Sequence, residues 1–264
     1  MKTTKALFGT LAITCALALN GFCQSFLTNG LVAYYPFNGN ANDATGNGHD
    51  GEVFGSQLVW VADRFGVLNR AVTLNGQDNY IKLPSLDSVV PTASQSMTVS
   101  FWARKGTKGD VISKYFNLDP NQSNFGIFLD IQNPVLTATG TGVDIVRPNI
   151  SEEQDWSQFA VVFKSGPNNT EVFQNGQLLA SGNPTFNSIV TSTDFVIGRV
   201  MGPIPGFLNG VVDDIRIYDR GLSSDEVSSL YQIESVPEPG SVTTFGLGLI
   251  GWAFLRRRQF GSPS

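Results

Sequence analysis

An aspartate on the predicted last strand offers the clearest chemistry in this sequence. Residues alternate between apolar and polar from Gly210 to Tyr218, which predicts a strand whose side chains Val211, Asp213 and Ile215 share one face. Burying an unpaired carboxylate costs several kcal/mol, so Asp213 needs a cation, a cluster of backbone N–H groups or an arginine. These three kinds of partner stay open at the level of sequence.

Candidate catalytic groups are scarce. His49 is the only histidine, it lies in a glycine-rich loop beside Asp50, and no nucleophilic serine signature surrounds it. Glycoside hydrolysis needs two carboxylates that face each other across a cleft. The acidic residues at 152, 153 and 155 instead precede Trp156 at a predicted strand start and indicate a solvated turn, and Asp130 is a lone acid. We therefore predict no catalytic residue and no enzyme.

Aromatic side chains could instead bind a sugar, because the C–H face of a sugar ring stacks on an aromatic ring. Trp60 precedes a polar loop and is the tryptophan most free to be exposed, and Tyr115 comes next, followed by Phe116. Trp102 lies in a predicted strand and Trp156 shortly before one, and packing is the expected role of both. Trp60 and Tyr115 are therefore the candidate ligand-binding residues.

Short apolar runs between Gly, Asn, Asp and Pro clusters predict an all-β sandwich or barrel. The predicted strands are Leu31 to Phe37, Ala71 to Leu74, Tyr80 to Leu83, Met97 to Arg104, Val111 to Tyr115, Phe125 to Ile131, Phe159 to Lys164, Thr170 to Phe173, Gln177 to Ala180, Phe195 to Ile197 and Gly210 to Tyr218. Asn175 and Gly176 predict a tight hairpin turn. Ser223 and Glu226 form a capping box that predicts one helix, from Ser223 to about Gln232.

Both ends of the chain carry targeting signals. Lys2 and Lys5 precede an apolar run from Ala6 to Leu19, which is typical of a secretory signal peptide cut near Cys23. The mature domain would then hold no cysteine beyond that edge, so no disulfide framework is expected. We predict a signal peptide at residues 1–23, a β-sandwich at 24–235 and a sorting segment at 236–260.

The sorting segment has three parts in a fixed order. Pro237, Glu238 and Pro239 come first, an apolar stretch from Gly240 to Leu255 follows, and Arg256, Arg257 and Arg258 close it. Sixteen helical residues reach about 24 Å, short of a hydrocarbon core of about 30 Å, and the arginines would stay cytoplasmic. A plain single-pass anchor is one interpretation. The order also resembles PEP-CTERM tails, which implies processing by an exosortase after transient anchoring in the inner membrane.

Charge excludes one class of partner. Without the signal peptide and the tail, 12 of the 17 Lys and Arg and 21 of the 22 Asp and Glu remain, so the net charge is −9. No basic stripe survives, and nucleic acid is therefore not expected as a partner.

The central part of the chain resembles the LamG-like jelly rolls of the concanavalin A-like lectin and glucanase superfamily. The motifs that carry this resemblance are Tyr35 to Gly48, Asp63 to Gly66, Leu74 to Ile81, Thr98 to Trp102, Trp156 to Phe163, Val172 to Leu178, Ile197 to Arg199 and Gly210 to Ser223. The resemblance implies a two-sheet jelly-roll β-sandwich with one short C-terminal helix, flanked by a signal helix and a short transmembrane helix.

Relatives in this superfamily use an aspartate at the position of Asp213 as a calcium ligand, helped by oxygens from the N-terminal loop. Asp43 and the loop from Gly46 to Gly51 could supply that help, and an oxygen site suits Ca²⁺. The resemblance thus implies a structural calcium ion at Asp213 and Asp43. The alternative is that Asp213 bonds backbone amides and that Asp43 makes an Asx turn.

We expect an exported bacterial protein of the cell surface or biofilm matrix. Its LamG-like module is expected to be non-catalytic and to bind carbohydrate in the form of an extracellular polysaccharide. The alternative is a structural or adhesion module that binds protein or has no specific ligand, and a glycoside hydrolase is a third reading. This fold hosts all of these functions, so fold alone does not choose among them.

Overall fold

The computed structural model describes residues 26–84, 86, 89, 94–114, 125–130, 135–139, 144–146, 149–151, 155–165, 170–182, 195–200 and 206–237. The predicted signal peptide, Tyr115, Phe116 and the sorting segment beyond Pro237 lie outside these ranges.

Strands dominate the described residues. They are β1 (Leu31–Tyr35), β2 (Glu52–Phe54), β3 (Val59–Val61), β4 (Ala71–Asn75), β5 (Tyr80–Leu83), β6 (Met97–Arg104), β7 (Lys108–Lys114), β8 (Phe125–Asp130), β9 (Val135–Thr139), β10 (Asp144–Val146), β11 (Trp156–Phe163), β12 (Thr170–Gln174), β13 (Gln177–Gly182), β14 (Phe195–Ile197), β15 (Arg199–Val200), β16 (Gly206–Phe207) and β17 (Asn209–Tyr218). One helix, α1 (Ser224–Glu234), follows the last strand.

The strands form the two layers of a jelly-roll sandwich, which confirms the predicted fold class. The first layer, here the helix-side sheet, runs β17-β6-β11-β12-β13; β1 and β4 pair with the free edge of β17, and β3 pairs with β4. The second layer, the opposite sheet, runs β2-β5-β14-β7-β8-β9-β10. A single pairing between Asn209 and Lys108 joins the two layers.

The main core lies between the two sheets. Phe101 and Phe159 from the helix-side sheet are fully buried together with Ile81, Ile112 and Phe195 from the opposite sheet. A smaller apolar cluster lies on the outer side of the helix-side sheet, where α1 covers it. Burial of large apolar side chains is worth about 1.5–3 kcal/mol each, so the sandwich can be held by its core.

Helix α1 forms as its sequence predicts. Ser223 is the N-cap, its side chain accepts from the backbone N–H of Glu226, and the Glu226 side chain accepts from the N-cap N–H, so the capping box is complete. Val227 and Leu230 are buried against the helix-side sheet. The helix extends two residues beyond the predicted end, to Glu234, which is buried.

All eleven predicted strands are present, but β17 departs from simple alternation. Its register against β6 shifts beyond Asp213, and Asp214 takes a φ of 47°. This bulge turns Val212 and Ile215 toward the core. The prediction that Asp213 shares an apolar face with Val211 and Ile215 is therefore wrong, because an extra residue in the strand breaks the period of two.

In the described part of the chain, no helix is long and apolar enough to span a membrane.

Candidate functional site

Five charged residues meet where α1 ends on the helix-side sheet, and they form what we name the charged cluster. Arg64 Nη1 lies 3.1 Å from Asp213 Oδ2 and 2.8 Å from Asp214 Oδ2. Arg216 Nε lies 2.7 Å from Glu234 Oε1. Arg64 Nε also donates to the backbone carbonyl of Glu234 at 2.9 Å. Of the three kinds of partner that the sequence left open for Asp213, the structure provides an arginine and also one backbone N–H, that of Asp214, which donates to Asp213 Oδ1 at 2.8 Å.

Aromatic groups complete this cluster. The Tyr34 hydroxyl donates to Asp214, and the indole N–H of Trp102 donates to Glu234 Oε2 at 2.8 Å. The Arg216 guanidinium lies 3.7 Å from the ring centroid of Tyr34, and that of Arg64 lies 4.4 Å from the ring of Trp102. Cation–π contacts of this kind add to charge pairing when the cation is desolvated.

Burial raises the pKa of Asp213, and the adjacent Asp214 raises it further, while Arg64 opposes the rise. Burial likewise raises the pKa of Glu234, and Arg216 opposes it. Three carboxylates face two guanidinium groups, so retention of one proton on the carboxylates makes the cluster neutral. A cluster that neutralises itself is suited to hold α1 on the sheet.

The cavity beside the charged cluster is small. Its volume is about 130 Å³, and its lining includes Asp63, Arg64, Phe65, Arg70, Ile233 and Val236. Sites for small molecules usually measure about 300–1,000 Å³. This cavity is therefore too small to enclose a sugar chain.

Asp43 belongs to a different network, in the loop after β1. Its Oδ1 accepts from the backbone N–H groups of Tyr34 at 3.0 Å and Thr45 at 2.9 Å, and the Thr45 hydroxyl also donates to it. Burial alone would raise the pKa of Asp43, but hydrogen bonds from Thr45, Tyr34 and His49 hold it below its usual range. The bond to the N–H of Thr45 closes the Asx turn that the sequence allowed.

The arrangement does not favour a shared calcium site at Asp43 and Asp213. N–H and O–H donors surround the first carboxylate, and Arg64 neutralises the second. Calcium prefers a shell of oxygen ligands. Among the residues that the structure describes, no group of three or more His, Cys, Asp or Glu side chains could hold a metal ion. Calcium binding stays a prediction, and no part of the site is assigned to it.

Of the two predicted ligand-binding aromatics, Trp60 lies in the described part of the chain. Trp60 is partly buried against the main core, with its ring centroid 6.4 Å from that of Phe37. Tyr115 lies outside the described residues, as do Glu238, Pro239 and the three arginines of the sorting segment. Pro237 is exposed, three residues after α1 ends. Sugar binding by Trp60 and Tyr115 stays a prediction.

A larger groove lies on the outer side of the same sheet, between the β12–β13 turn and α1, and we name it the amide groove. Its volume is about 540 Å³, within the range of ligand sites. It is lined by Asn149, Ile150, Ser151, Ser157, Gln174, Asn175, Gln177, Leu179 and Tyr231. None of these lining residues carries a charge, and most present an amide or a hydroxyl.

Hydrogen bonds fix the floor of the amide groove. Gln174 Oε1 accepts from the backbone N–H of Ser151 at 2.8 Å, and its Nε2 donates to the Ser151 carbonyl at 2.7 Å and to the Ser157 hydroxyl at 3.2 Å. Asn175 Oδ1 accepts from the N–H of Gln158 at 2.9 Å. The floor is therefore rigid, whereas the Gln177 side chain is exposed at the rim.

The turn at Asn175 and Gly176 packs against α1 and so brings the two sides of the groove together. Both residues have positive φ, 50° and 75°, as the predicted tight turn requires. A Cβ added to Gly176 would lie 3.1 Å from Ser228 Cα and 3.1 Å from Tyr231 Cβ. The Tyr231 ring in turn stacks on Trp102, with centroids 5.9 Å apart. Only a glycine lets the hairpin approach α1 this closely.

Sequence reasoning predicted the turn and the helix but missed the groove between them. The lining amides come from three separated segments, and nothing in the local pattern links Ser151 to Gln174 or either of them to Tyr231. The one usable signal was the turn itself, since its glycine marks a close approach of the backbone to another element.

Comparison with known proteins identifies the fold and the tail. A family model for the concanavalin A-like lectin/glucanases superfamily, Laminin_G_3, matches residues 75–228. A model for the PEP-CTERM protein-sorting motif matches residues 235–258. No curated protein matches the chain.

Solved structures share the architecture at low identity. Domain 4 of AbnA, a GH43 extracellular arabinanase from Geobacillus stearothermophilus in complex with arabinotriose, is 23% identical with a TM-score of 0.56, over 76% of this chain and 98% of that one. The binding domain of Paraclostridial Mosquitocidal Protein 1 is 18% identical with a TM-score of 0.59, over 76% of this chain and 52% of that one. A Trypanosoma rangeli sialidase is 16% identical with a TM-score of 0.53, over 78% of this chain and 33% of that one.

These structures establish the fold alone, and the present chain spans only about half of the toxin domain and a third of the sialidase. The family model, however, covers more than half of the sequence, in the region where β5 to β17 build the sandwich. The chain therefore belongs to the LamG-like part of the concanavalin A-like lectin and glucanase superfamily and ends in a PEP-CTERM sorting motif.

Proposed function

We propose that this exported surface protein binds a neutral polysaccharide in the amide groove and performs no catalysis there. The observation that carries the proposal is the uncharged, hydrogen-bonding lining of a groove of about 540 Å³. The mature domain carries a net charge of −9, whereas the described lining of this groove is uncharged.

The chemistry of the lining suits a sugar chain. Amide and hydroxyl groups both donate and accept, as the hydroxyls of a sugar do. Because Gln174 and Asn175 are already held by internal hydrogen bonds, little side-chain entropy is lost when a ligand binds. A neutral ligand also avoids the cost of desolvating an ion.

The structural neighbours give modest support. Domain 4 of AbnA, which has a similar fold, was solved in complex with arabinotriose. At 23% identity this likeness does not locate a ligand on the present chain. It does show that a sandwich of this architecture can be occupied by an oligosaccharide.

The placement of the carboxylates supports a non-catalytic module. Hydrolysis of a glycosidic bond uses an acid and a base or nucleophile that face each other across the bound sugar. Asp213, Asp214 and Glu234 are instead paired with arginines beside a cavity of about 130 Å³. None of them lines the amide groove.

The PEP-CTERM motif implies handling by an exosortase-type enzyme and delivery toward the cell surface. We propose that the tail anchors the protein transiently in the inner membrane and that the LamG-like domain then reaches the surface or the biofilm matrix. There the amide groove would hold extracellular polysaccharide.

One observation favours the alternative of a protein-binding adhesion module. Strand β13 is the edge of the helix-side sheet, and Leu178 and Leu179 on it are 52% and 37% exposed. Exposed apolar residues on an edge strand are a common contact surface for other proteins. Under this alternative, Leu178→Ser would abolish adhesion to a protein partner, and no neutral polysaccharide would retard the parent protein.

Affinity electrophoresis through gels with neutral polysaccharides tests the proposal. Residues 24–236 contain every strand and the helix described above, and they would be run with calcium and again with EDTA. We expect retardation in at least one neutral polysaccharide, reduced in Gln177→Ala and retained in Gln77→Ala, which alters another exposed glutamine at a different turn. No retardation in any gel would reject the proposal, and retardation lost in EDTA would support the calcium prediction.

A further inference from the structure

Three exposed apolar side chains lie where the chain leaves the sandwich, and we name them the apolar lip. Leu68 is 75% exposed, Val236 is 59% exposed and Val67 is 36% exposed. Val67 and Val236 line the same small cavity, and Leu68 follows Val67 directly. Single exposed apolar residues are ordinary, but a group of three at one place indicates a contact surface.

The loop that carries two of these residues is rigid. Asp63 Oδ1 accepts from the N–H groups of Phe65 at 2.8 Å and Val67 at 2.9 Å, and the Asp63 N–H donates to the Val67 carbonyl at 3.1 Å. Arg64, from the same loop, is fixed in the charged cluster. The backbone that carries Val67 and leads into Leu68 is therefore fixed.

The third residue of the lip is tied to the tail. Glu234 is held by Arg216 and Trp102, and Val236 follows two residues later. The apolar stretch of the tail begins at Gly240, three residues after Pro237. Three residues span at most about 11 Å. When that stretch enters a bilayer, the lip must lie close to the membrane surface.

We propose that the apolar lip of Val67, Leu68 and Val236 inserts into the interfacial region of the membrane while the sorting tail is still attached. This inference rests on the proposed transient anchor and is independent of polysaccharide binding. Each apolar side chain that leaves water for the interface stabilises the contact. The domain would then be oriented on the membrane, with α1 toward the bilayer.

A fluorescence-quenching experiment on the full chain tests this orientation. Cys15→Ser and Cys23→Ser remove the native cysteines, and a single cysteine is placed by Leu68→Cys, by Leu178→Cys or by Leu249→Cys and labelled with an environment-sensitive fluorophore. The chains are reconstituted into phosphatidylethanolamine and phosphatidylglycerol vesicles with and without a nitroxide on the upper acyl chain. Leu178 is a matched control, since it is 52% exposed and lies on β13, four strands from β17.

We expect strong quenching at position 249, which reports insertion of the tail, and clearly greater quenching at 68 than at 178. Quenching at 249 with equal quenching at 68 and 178 would overturn the lip and leave the anchor intact. No quenching at 249 would overturn both. If equal quenching at 68 and 178 were joined by loss of tail processing in cells carrying Leu68→Asp, the lip would be a contact for the processing enzyme instead of the membrane.

Discussion

The charged cluster and the amide groove lie on the same face of the sandwich, and they use polar groups in opposite ways. In the cluster, Arg64, Arg216 and three carboxylates neutralise one another at distances of 2.7–3.1 Å. In the groove, Gln174 and Asn175 are held in place while the lining stays uncharged. The cluster fixes the helix, and the groove presents an uncharged polar surface with the Gln177 side chain exposed at its rim.

This difference shows why the most conspicuous residues are not the proposed binding site. A buried charge needs a partner, so Asp213 is conspicuous in the sequence. In the folded protein Asp213 is paired with Arg64, and this pairing stabilises the fold. Neutral amides cost less to bury than charges do, so they can line a groove without an ionic partner. Polysaccharide binding is therefore proposed at neutral amide residues that no sequence motif singles out.

The largest effect should follow from breaking the charged cluster. Arg64→Met leaves Asp213 and Asp214 without their cation in a buried site, and removal of one partner of a buried ion pair costs about 3–5 kcal/mol. We expect the free energy of unfolding in urea to fall by that amount.

Arg104→Met is the matched control for this prediction. Its ion pair with Asp155 is about half exposed on the arginine side, at 48%, and 65% exposed on the aspartate side. Exposed pairs are worth about 0–1 kcal/mol. Equal losses in the two variants would mean that the cluster does not fix the fold.

A smaller effect on stability is expected from Asp110, a carboxylate on β7 of the opposite sheet, than from the cluster around Asp213. Burial raises the pKa of Asp110 to about 6. Because the folded-state pKa lies above the unfolded value, this group stabilises the fold most at low pH, and that contribution is lost as pH rises through about 6.

Asp110→Asn removes this dependence. We expect the variant to be more stable than the parent at pH 8, by at most about 3 kcal/mol at 1.36 kcal/mol for each unit of pKa, and to lose that advantage at pH 4. Urea unfolding at both pH values measures the difference. An equal difference between the two chains at pH 4 and pH 8 would show that Asp110 does not titrate in this way.

Gly176→Ala should strain the turn that seats the groove. The φ of 75° costs about 1–3 kcal/mol for a residue with a side chain, and the added Cβ also meets Ser228 and Tyr231 at 3.1 Å. Gly46→Ala has a similar φ of 79° but nothing within 4 Å. Thermal unfolding should therefore show a greater loss at 176, and sugar binding should weaken only there. Equal losses would argue against close packing of the turn on α1.

The smallest effect concerns salt. Because the lining residues that the structure describes in the amide groove are uncharged, retardation by a neutral polysaccharide should hardly change between low and high ionic strength. The stability of the charged cluster should also vary little, since buried pairs are weakly screened. Binding that collapses as salt increases would place the ligand on an ionic surface instead.

The elements that the sequence predicted are those with strong local signals. Most of the eleven predicted strands carry buried or alternating apolar residues, and the capping box at Ser223 marked the helix. The strand from Gln177 is exposed and was marked by the turn before it. Short strands such as Glu52–Phe54, whose residues are all exposed, form only because a partner strand is present. No apolar pattern in the sequence predicts such strands.

Long-range pairing explains what the sequence could not predict at the candidate site. Asp213 was singled out correctly as a group that needs a partner, but Arg64 lies 149 residues away. The bulge at Asp214 also reversed the expected face. The groove depends on contacts between Ser151, Gln174 and α1 that only the folded chain brings together.

The most direct test of the account is a titration of residues 24–236 with a neutral oligosaccharide from a retained polysaccharide, followed by backbone amide chemical shifts. We predict that the shifts concentrate at Ser151, Gln174, Asn175 and Gln177, while Arg64 and Asp213 to Arg216 stay unchanged. Shifts that concentrate instead on the charged cluster, with the groove residues silent, would contradict the account.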